Sequence, residues 1–107
     1  MKTPNIDKFL PLTETTSYIL LSLIEPLHGY ALMQQVEEIS DGLITIGPGT
    51  LYTAFSTLEK AGLITKVGED NRRKIYQITD KGLLVIKEHL RRTEILVNFG
   101  HKKLQNF

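Results

Sequence analysis

The stretch GPGTLYTAFSTLEKAGLITKVGEDNRRKIYQIT, residues 47–79, changes its hydrophobic period part-way through. Leu51, Phe55 and Leu58 step by four and three, the spacing of one buried helical face. Ala54 and Ala61 are their small neighbours. Gly47-Pro48-Gly49-Thr50 reads as the turn leading into this helix. Gly62 reads as its end, because glycine accepts a left-handed backbone at least cost. Beyond it, Leu63, Ile64, Lys66 and Val67 lead into the polar run Gly68-Glu69-Asp70-Asn71. Lys74-Ile75-Tyr76-Gln77-Ile78-Thr79 follows, rich in strand formers. The pattern predicts a helix, then two short strands around a polar loop.

Upstream, a helix is expected from about Pro11 to Glu25. Thr13 is its candidate cap, and Ile19, Leu20, Leu23, Ile24 and Leu27 form a broad apolar face. Pro26 ends it, since the residue before proline resists the helical region. A second helix is expected from about Gly29 to Ser40. Tyr30, Ala31, Met33, Val36 and Ile39 recur along it, with Glu37 and Glu38 outward and Asp41-Gly42 as the stop. Leu43 to Ile46 reads as an extended connector or a small strand. Downstream, Asp80 opens a long helix reaching about Lys103. Its seam runs Leu83, Ile86, Leu90, Thr93, Val97, Gly100 and Leu104, alternating steps of three and four. Ile95, Leu96 and Phe99 widen that face beyond what one small core requires.

The order helix, helix, helix, hairpin, long helix is the winged helix-turn-helix arrangement. The fold class expected is mainly α with a small β-hairpin and a long C-terminal helix. Residues 1–79 are expected to form the winged domain and residues 80–107 a dimerisation helix.

Composition narrows the function classes. The chain has 107 residues, enough for one domain. Hydrophobic residues at 41% and charged residues at 23% fit a folded globular protein. Cysteine is absent, which excludes disulfides and thiolate metal sites. His28, His89 and His101 lie far apart without a second ligand at metal spacing, so no metal and no cofactor are expected. No nucleophile–base–acid grouping supports catalysis. The apolar run from Ile19 to Ile24 is too short to cross a bilayer. Residues 1–20 lack the features of a signal peptide, so a cytoplasmic protein without membrane contact is expected.

The formal net charge is only +1. Its distribution says more. Residues 1–46 carry two bases and six acids, and residues 47–107 carry eleven bases and six acids. The second part is the one suited to a polyanion.

Within it, the third helix presents Thr50, Tyr52, Thr53, Ser56, Thr57 and Lys60 beside or opposite its apolar stripe. Hydroxyls bond phosphates or base edges, and threonine methyls suit thymine methyls. Arg72, Arg73 and Lys74 adjoin the hairpin loop, where bases meet phosphate or a narrow minor groove. Glu69 and Asp70 beside them oppose such contact. The glycines before Leu51 lack the GK[ST] ending of a nucleotide-phosphate loop. His28 reads as a backbone partner at the turn before the second helix.

Four segments carry a family resemblance. They are Leu20-Leu21-Ser22-Leu23 with Pro26-Leu27-His28-Gly29-Tyr30-Ala31-Leu32; Gly49-Thr50-Leu51-Tyr52 with Leu58-Glu59-Lys60-Ala61-Gly62-Leu63-Ile64; Arg72-Arg73-Lys74-Ile75-Tyr76-Gln77-Ile78-Thr79; and Asp80-Lys81-Gly82. In this order and spacing the chain resembles the short form of the PadR family of transcriptional regulators. Thr53 stands where the family commonly has proline, and Thr57 where it commonly has a base. The tryptophan used by drug-binding members is absent.

The resemblance implies a sequence-specific repressor that binds double-stranded DNA as a homodimer on a pseudo-palindromic operator. It implies a dimer interface from Leu10, Leu12, Leu83, Ile86, Leu90, Val97 and Leu104. A small hydrophobic or aromatic effector is expected near Phe9, Tyr18, Ile95, Leu96 and Phe99. The alternative is a winged-helix protein-interaction module, or a ligand sensor acting through a protein partner, without DNA binding.

Overall fold

The structure is a computed structural model that describes residues 5–107. After a 3-10 turn at Asp7–Phe9, Thr13 caps helix α1 (Glu14–Ser22) by accepting from the Thr16 amide at 3.1 Å. The chain then extends through Pro26 into a two-residue strand, β1 (Leu27–His28). His28 starts helix α2 (Gly29–Ile39), where its Nδ1 accepts from the Ala31 amide at 3.3 Å. The connector Leu43 to Ile46 forms no strand. Buried Ser40 anchors it by accepting from the Ile44 amide at 3.0 Å.

Helix α3 (Pro48–Lys60) has proline in its first turn, where no amide hydrogen is needed. It ends at Gly62, whose φ of +78° is the left-handed value that the sequence assigns to glycine here. Strands β2 (Ile64–Asp70) and β3 (Arg73–Ile78) form the hairpin, and helix α4 (Asp80–Lys103) follows.

The sheet has three antiparallel strands in the order β1-β3-β2, one more than the hairpin the sequence suggests. Leu27 pairs with Tyr76 and His28 with Ile75. Two residues are too few to show a period, so only the pairing with β3 defines β1. The hairpin tip also differs from expectation. Strand pairing continues to Asp70 opposite Arg73, past the polar run expected as the loop. Asn71 and Arg72 make the turn with φ of 50° and 66°, both positive, as primed hairpin turns require. Gly68 instead adjoins an irregularity in β2 between Lys66 and Gly68.

One core joins all four helices and the sheet. Ile19, Leu20 and Leu23 from α1 and its end meet Leu32 and Val36 of α2, and Leu51, Phe55 and Leu58 of α3. Leu63, Ile64, Tyr76 and Ile78 close it from the sheet side. Tyr30 and Ile39, expected on the apolar side of α2, are exposed; the buried stripe is Leu32 and Val36.

The start of α4 is bound to the end of α3. The Thr79 hydroxyl donates to the Gly62 carbonyl at 2.6 Å and accepts from the Gly82 amide at 3.1 Å. Lys81 Nζ donates to the Ala61 carbonyl at 2.9 Å. A Cβ on Gly82 would lie 2.2 Å from the Leu63 carbonyl oxygen and 2.6 Å from Ile78 Cγ1. Glycine here is a packing requirement.

The dimer seam read from the sequence is therefore divided. Ile86 is only 2% exposed and lies in the subunit's own core, so it has no surface for a partner. Leu83, Leu10 and Leu12 also pack against that core. Leu90, Val97 and Leu104 stay exposed, as do Ile95, Leu96 and Phe99. Arg91 and Arg92 both donate to Glu88, and Arg92 reaches Asp7 at 3.0 Å. The hydrogen bonds from Arg91 first, then Arg92, hold the Glu88 carboxyl down to about 2. Among the described residues no helix is long and apolar enough to cross a membrane.

Candidate nucleic-acid interface

Burial of Leu51, Phe55 and Leu58 fixes the orientation of α3. At 3.6 residues per turn, the ridge farthest from the core runs Gly49, Thr53, Ser56 and Lys60. Thr50 and Thr57 flank it on one side, Tyr52 and Glu59 on the other, and all are exposed. Tyr52 is the most prominent, with 74% of its surface open.

A cleft of about 580 Å³ runs between α3, the start of α2 and the hairpin. Tyr52, Ser56, Arg72, Arg73 and Lys74 line it together. Phe55 and Tyr76 form its aromatic floor, with ring centroids 4.7 Å apart. The Arg73 guanidinium sits 5.8 Å from the Tyr30 ring centre, so the hairpin is braced on α2. Five of the nine sequence-assigned contact residues thus line one cleft. Thr50, Thr53, Thr57 and Lys60 lie outside its lining, on the exposed sides of the same helix.

The charges of this face are unevenly matched. Lys66 is paired with Glu69, and that hydrogen bond holds the Glu69 carboxyl below the usual range. Among the described residues no carboxylate lies within ion-pair distance of Arg72, Arg73 or Lys74. Asp70 faces Arg73 and Glu69 faces Lys74 across the ladder without pairing. Burial, with a smaller push from the Glu59 charge, raises the Tyr76 hydroxyl above its ordinary value.

Sequence reasoning missed Tyr30 and Glu59 as cleft residues. Tyr30 is two residues from Leu32 and six from Val36, off the buried stripe, and that spacing was the available signal. Glu59 adjoins Leu58 in a helix whose polar face draws attention to its hydroxyls and lysine.

The effector candidates are not gathered within one subunit. Phe9 lies by the start of α4, with Lys81 Nζ 5.0 Å from its ring centre. Ile95 is fourteen residues farther along that helix, about 21 Å at 1.5 Å per residue. A cavity of about 590 Å³ between Asn5–Asp7 and α4 contains none of the five. Among the described residues no group of acids and histidines is placed to hold a metal ion. His28 and His89 instead accept backbone hydrogen bonds from Ala31 and Leu12.

The comparison with known families decides the identity. Residues 19–88 match the model of the Transcriptional regulator PadR-like family. The chain belongs to that family. Its members are transcriptional regulators and not enzymes. A transcriptional regulator from Clostridium thermocellum is 33% identical, with 86% of this chain and 90% of that one aligned at a TM-score of 0.68. A PadR family regulator from Eggerthella lenta is 31% identical, with 87% and 83% aligned at a TM-score of 0.71. Transcriptional regulator YqjI of Escherichia coli is 29% identical over 64% of this chain. The PadR-like chain spans about a third of the length of that curated relative. The matched family segment takes in α2, α3, the hairpin and the clamped start of α4, and stops before the exposed end of α4.

Proposed function

We propose that this PadR-like regulator is a sequence-specific repressor that binds double-stranded DNA as a homodimer. Residues 1–79 are the DNA-binding unit, and residues 80–107 provide the dimer helix, although the core continues to Ile86. The observation that carries the reading is the shared face of α3 and the hairpin. Tyr52 and Ser56 border the same cleft as three bases that have no carboxylate partner among the described residues. Such a face offers hydroxyls to a groove and cations to the flanking phosphates.

The exposed apolar end of α4 supports the homodimer, because a solvent-facing row of large apolar side chains gains by association. Leu90, Val97 and Leu104 supply the seam, with the outer edges of Leu10, Leu12 and Leu83 beside it. Two-fold pairing matches a pseudo-palindromic operator with half-sites about one helical turn apart. A small hydrophobic or aromatic effector seated between the dimer helices, against Phe9, Tyr18, Ile95, Leu96 and Phe99, releases the operator by changing that separation. Such a regulator works in the cytoplasm.

Fluorescence anisotropy with promoter fragments, including the protein's own upstream DNA, tests the reading. Salt-sensitive binding to one fragment over the others is expected. Absence of binding at low salt, together with a copurifying protein, would favour the interaction-module alternative.

A further inference from the structure

The outward ridge of α3 contains no arginine, asparagine or glutamine. Arginine and lysine are the side chains that grip guanine through two bonds, and asparagine and glutamine grip adenine in the same way. Lys60 is the one base on α3, and it lies about 10 Å beyond Thr53 along the axis, in the last turn. Glu59 can only accept, and it faces the cleft and not the outward ridge. What remains at the centre of the ridge is Thr53 and Ser56.

Thr53 has a defined chemical character. Its hydroxyl donates to the Gly49 carbonyl at 3.1 Å, so its proton is committed inside the helix. The side chain therefore offers a base edge a methyl group and an acceptor lone pair, but no donor. In the major groove, an A·T pair presents the thymine methyl and the adenine amino donor. These two features are the complement of what Thr53 offers. A G·C pair presents two guanine acceptors that Thr53 cannot satisfy, and its cytosine amino donor comes without a methyl group, so the thymine methyl is what distinguishes the pairs.

We infer that Thr53 is a specificity-determining residue, selecting an A·T pair in each half-site through contact with the thymine methyl. The inference rests on the operator reading above and adds which residue discriminates and by what contact. Selectivity at this position is apolar and modest, about what one buried methyl provides.

Selection from random double-stranded DNA with the full chain, followed by thymine-to-deoxyuridine replacement in the enriched site, tests it. The enriched half-site is expected to hold an A·T pair where deoxyuridine weakens binding roughly fourfold. Thr53→Ser, which keeps the hydroxyl and drops the methyl, is expected to lose that sensitivity. Thr53→Val, which keeps methyl groups and drops the hydroxyl, is expected to retain it. Thermal melting of each variant checks that the fold is unchanged. An enriched site with G·C throughout the α3-facing positions would overturn the inference and leave operator binding standing. So would deoxyuridine indifference in the parent protein, or undiminished sensitivity in Thr53→Ser. Failure to enrich any site would overturn the operator reading itself.

Discussion

At its start, α4 has no room for one added methyl group. A Cβ on Gly82 would collide with the Leu63 carbonyl, while at Gly100, near the other end, nothing lies within 4 Å. Val85 and Ile86 are buried, yet Leu96 and Phe99 are 66% and 58% exposed. The same helical geometry thus serves two tasks. The first part completes the winged domain and fixes the angle at which α4 leaves α3, through Thr79, Lys81 and Gly82. The last part is an unpartnered apolar face.

The largest effect is expected where α4 begins. Gly82→Ala is expected to destabilise the fold by about 3 kcal/mol, read by urea unfolding, because a backbone carbonyl has little freedom to give way. Stability equal to the parent's would mean that the start of α4 is not held as described. At the other end, Val97→Asp is expected to leave the subunit's melting temperature nearly unchanged. It should raise the dimer dissociation constant at least about a hundredfold, since each substitution counts twice across a two-fold interface. Sedimentation velocity reads this, and an unaltered dimer would remove Val97 from the interface.

Smaller effects are expected on the DNA face. Arg73→Ala should lower the slope of log affinity against log salt by about one and weaken all sequences alike. An unchanged slope would take Arg73 off the phosphate list. The smallest effect belongs to Glu88, held between Arg91 and Arg92. Its carboxyl titrates lower in the folded chain, at about 2, than its ordinary 4.5. Its contribution is therefore complete above about pH 4.5 and is lost as pH falls toward 2. Glu88→Gln should show a shallower decline in melting temperature across that window, and an identical decline would deny the ion pair a role.

Much of the architecture is legible from local chemistry. Thr13, Gly62 and the Leu51-Phe55-Leu58 stripe are found where capping, left-handed backbone and helical period place them. The misplacements share a cause. The strand β1 exists only through its partners Tyr76 and Ile75, and Ile86 has the periodicity of a seam although a neighbouring element of its own subunit covers it. Period tells that a face is buried and is silent on what buries it. The hairpin tip was drawn toward Gly68, the usual turn residue, while Asn71 and Arg72 take the positive φ values instead. At the candidate site, the exposure of the six α3 residues and the three hairpin bases is legible in the sequence, but which of them share the cleft is not. The contribution of Tyr30 requires the fold, because α2 and the hairpin approach one another only in three dimensions.

In the proposed complex, α3 and the hairpin of two paired subunits meet DNA together. Hydroxyl-radical footprinting on an enriched operator tests it most directly. Two related protected patches are expected on one side of the duplex, centred about 10–10.5 base pairs apart, with flanking backbone protection that disappears in Arg73→Ala. A single patch, or protection indifferent to the hairpin bases, would contradict it.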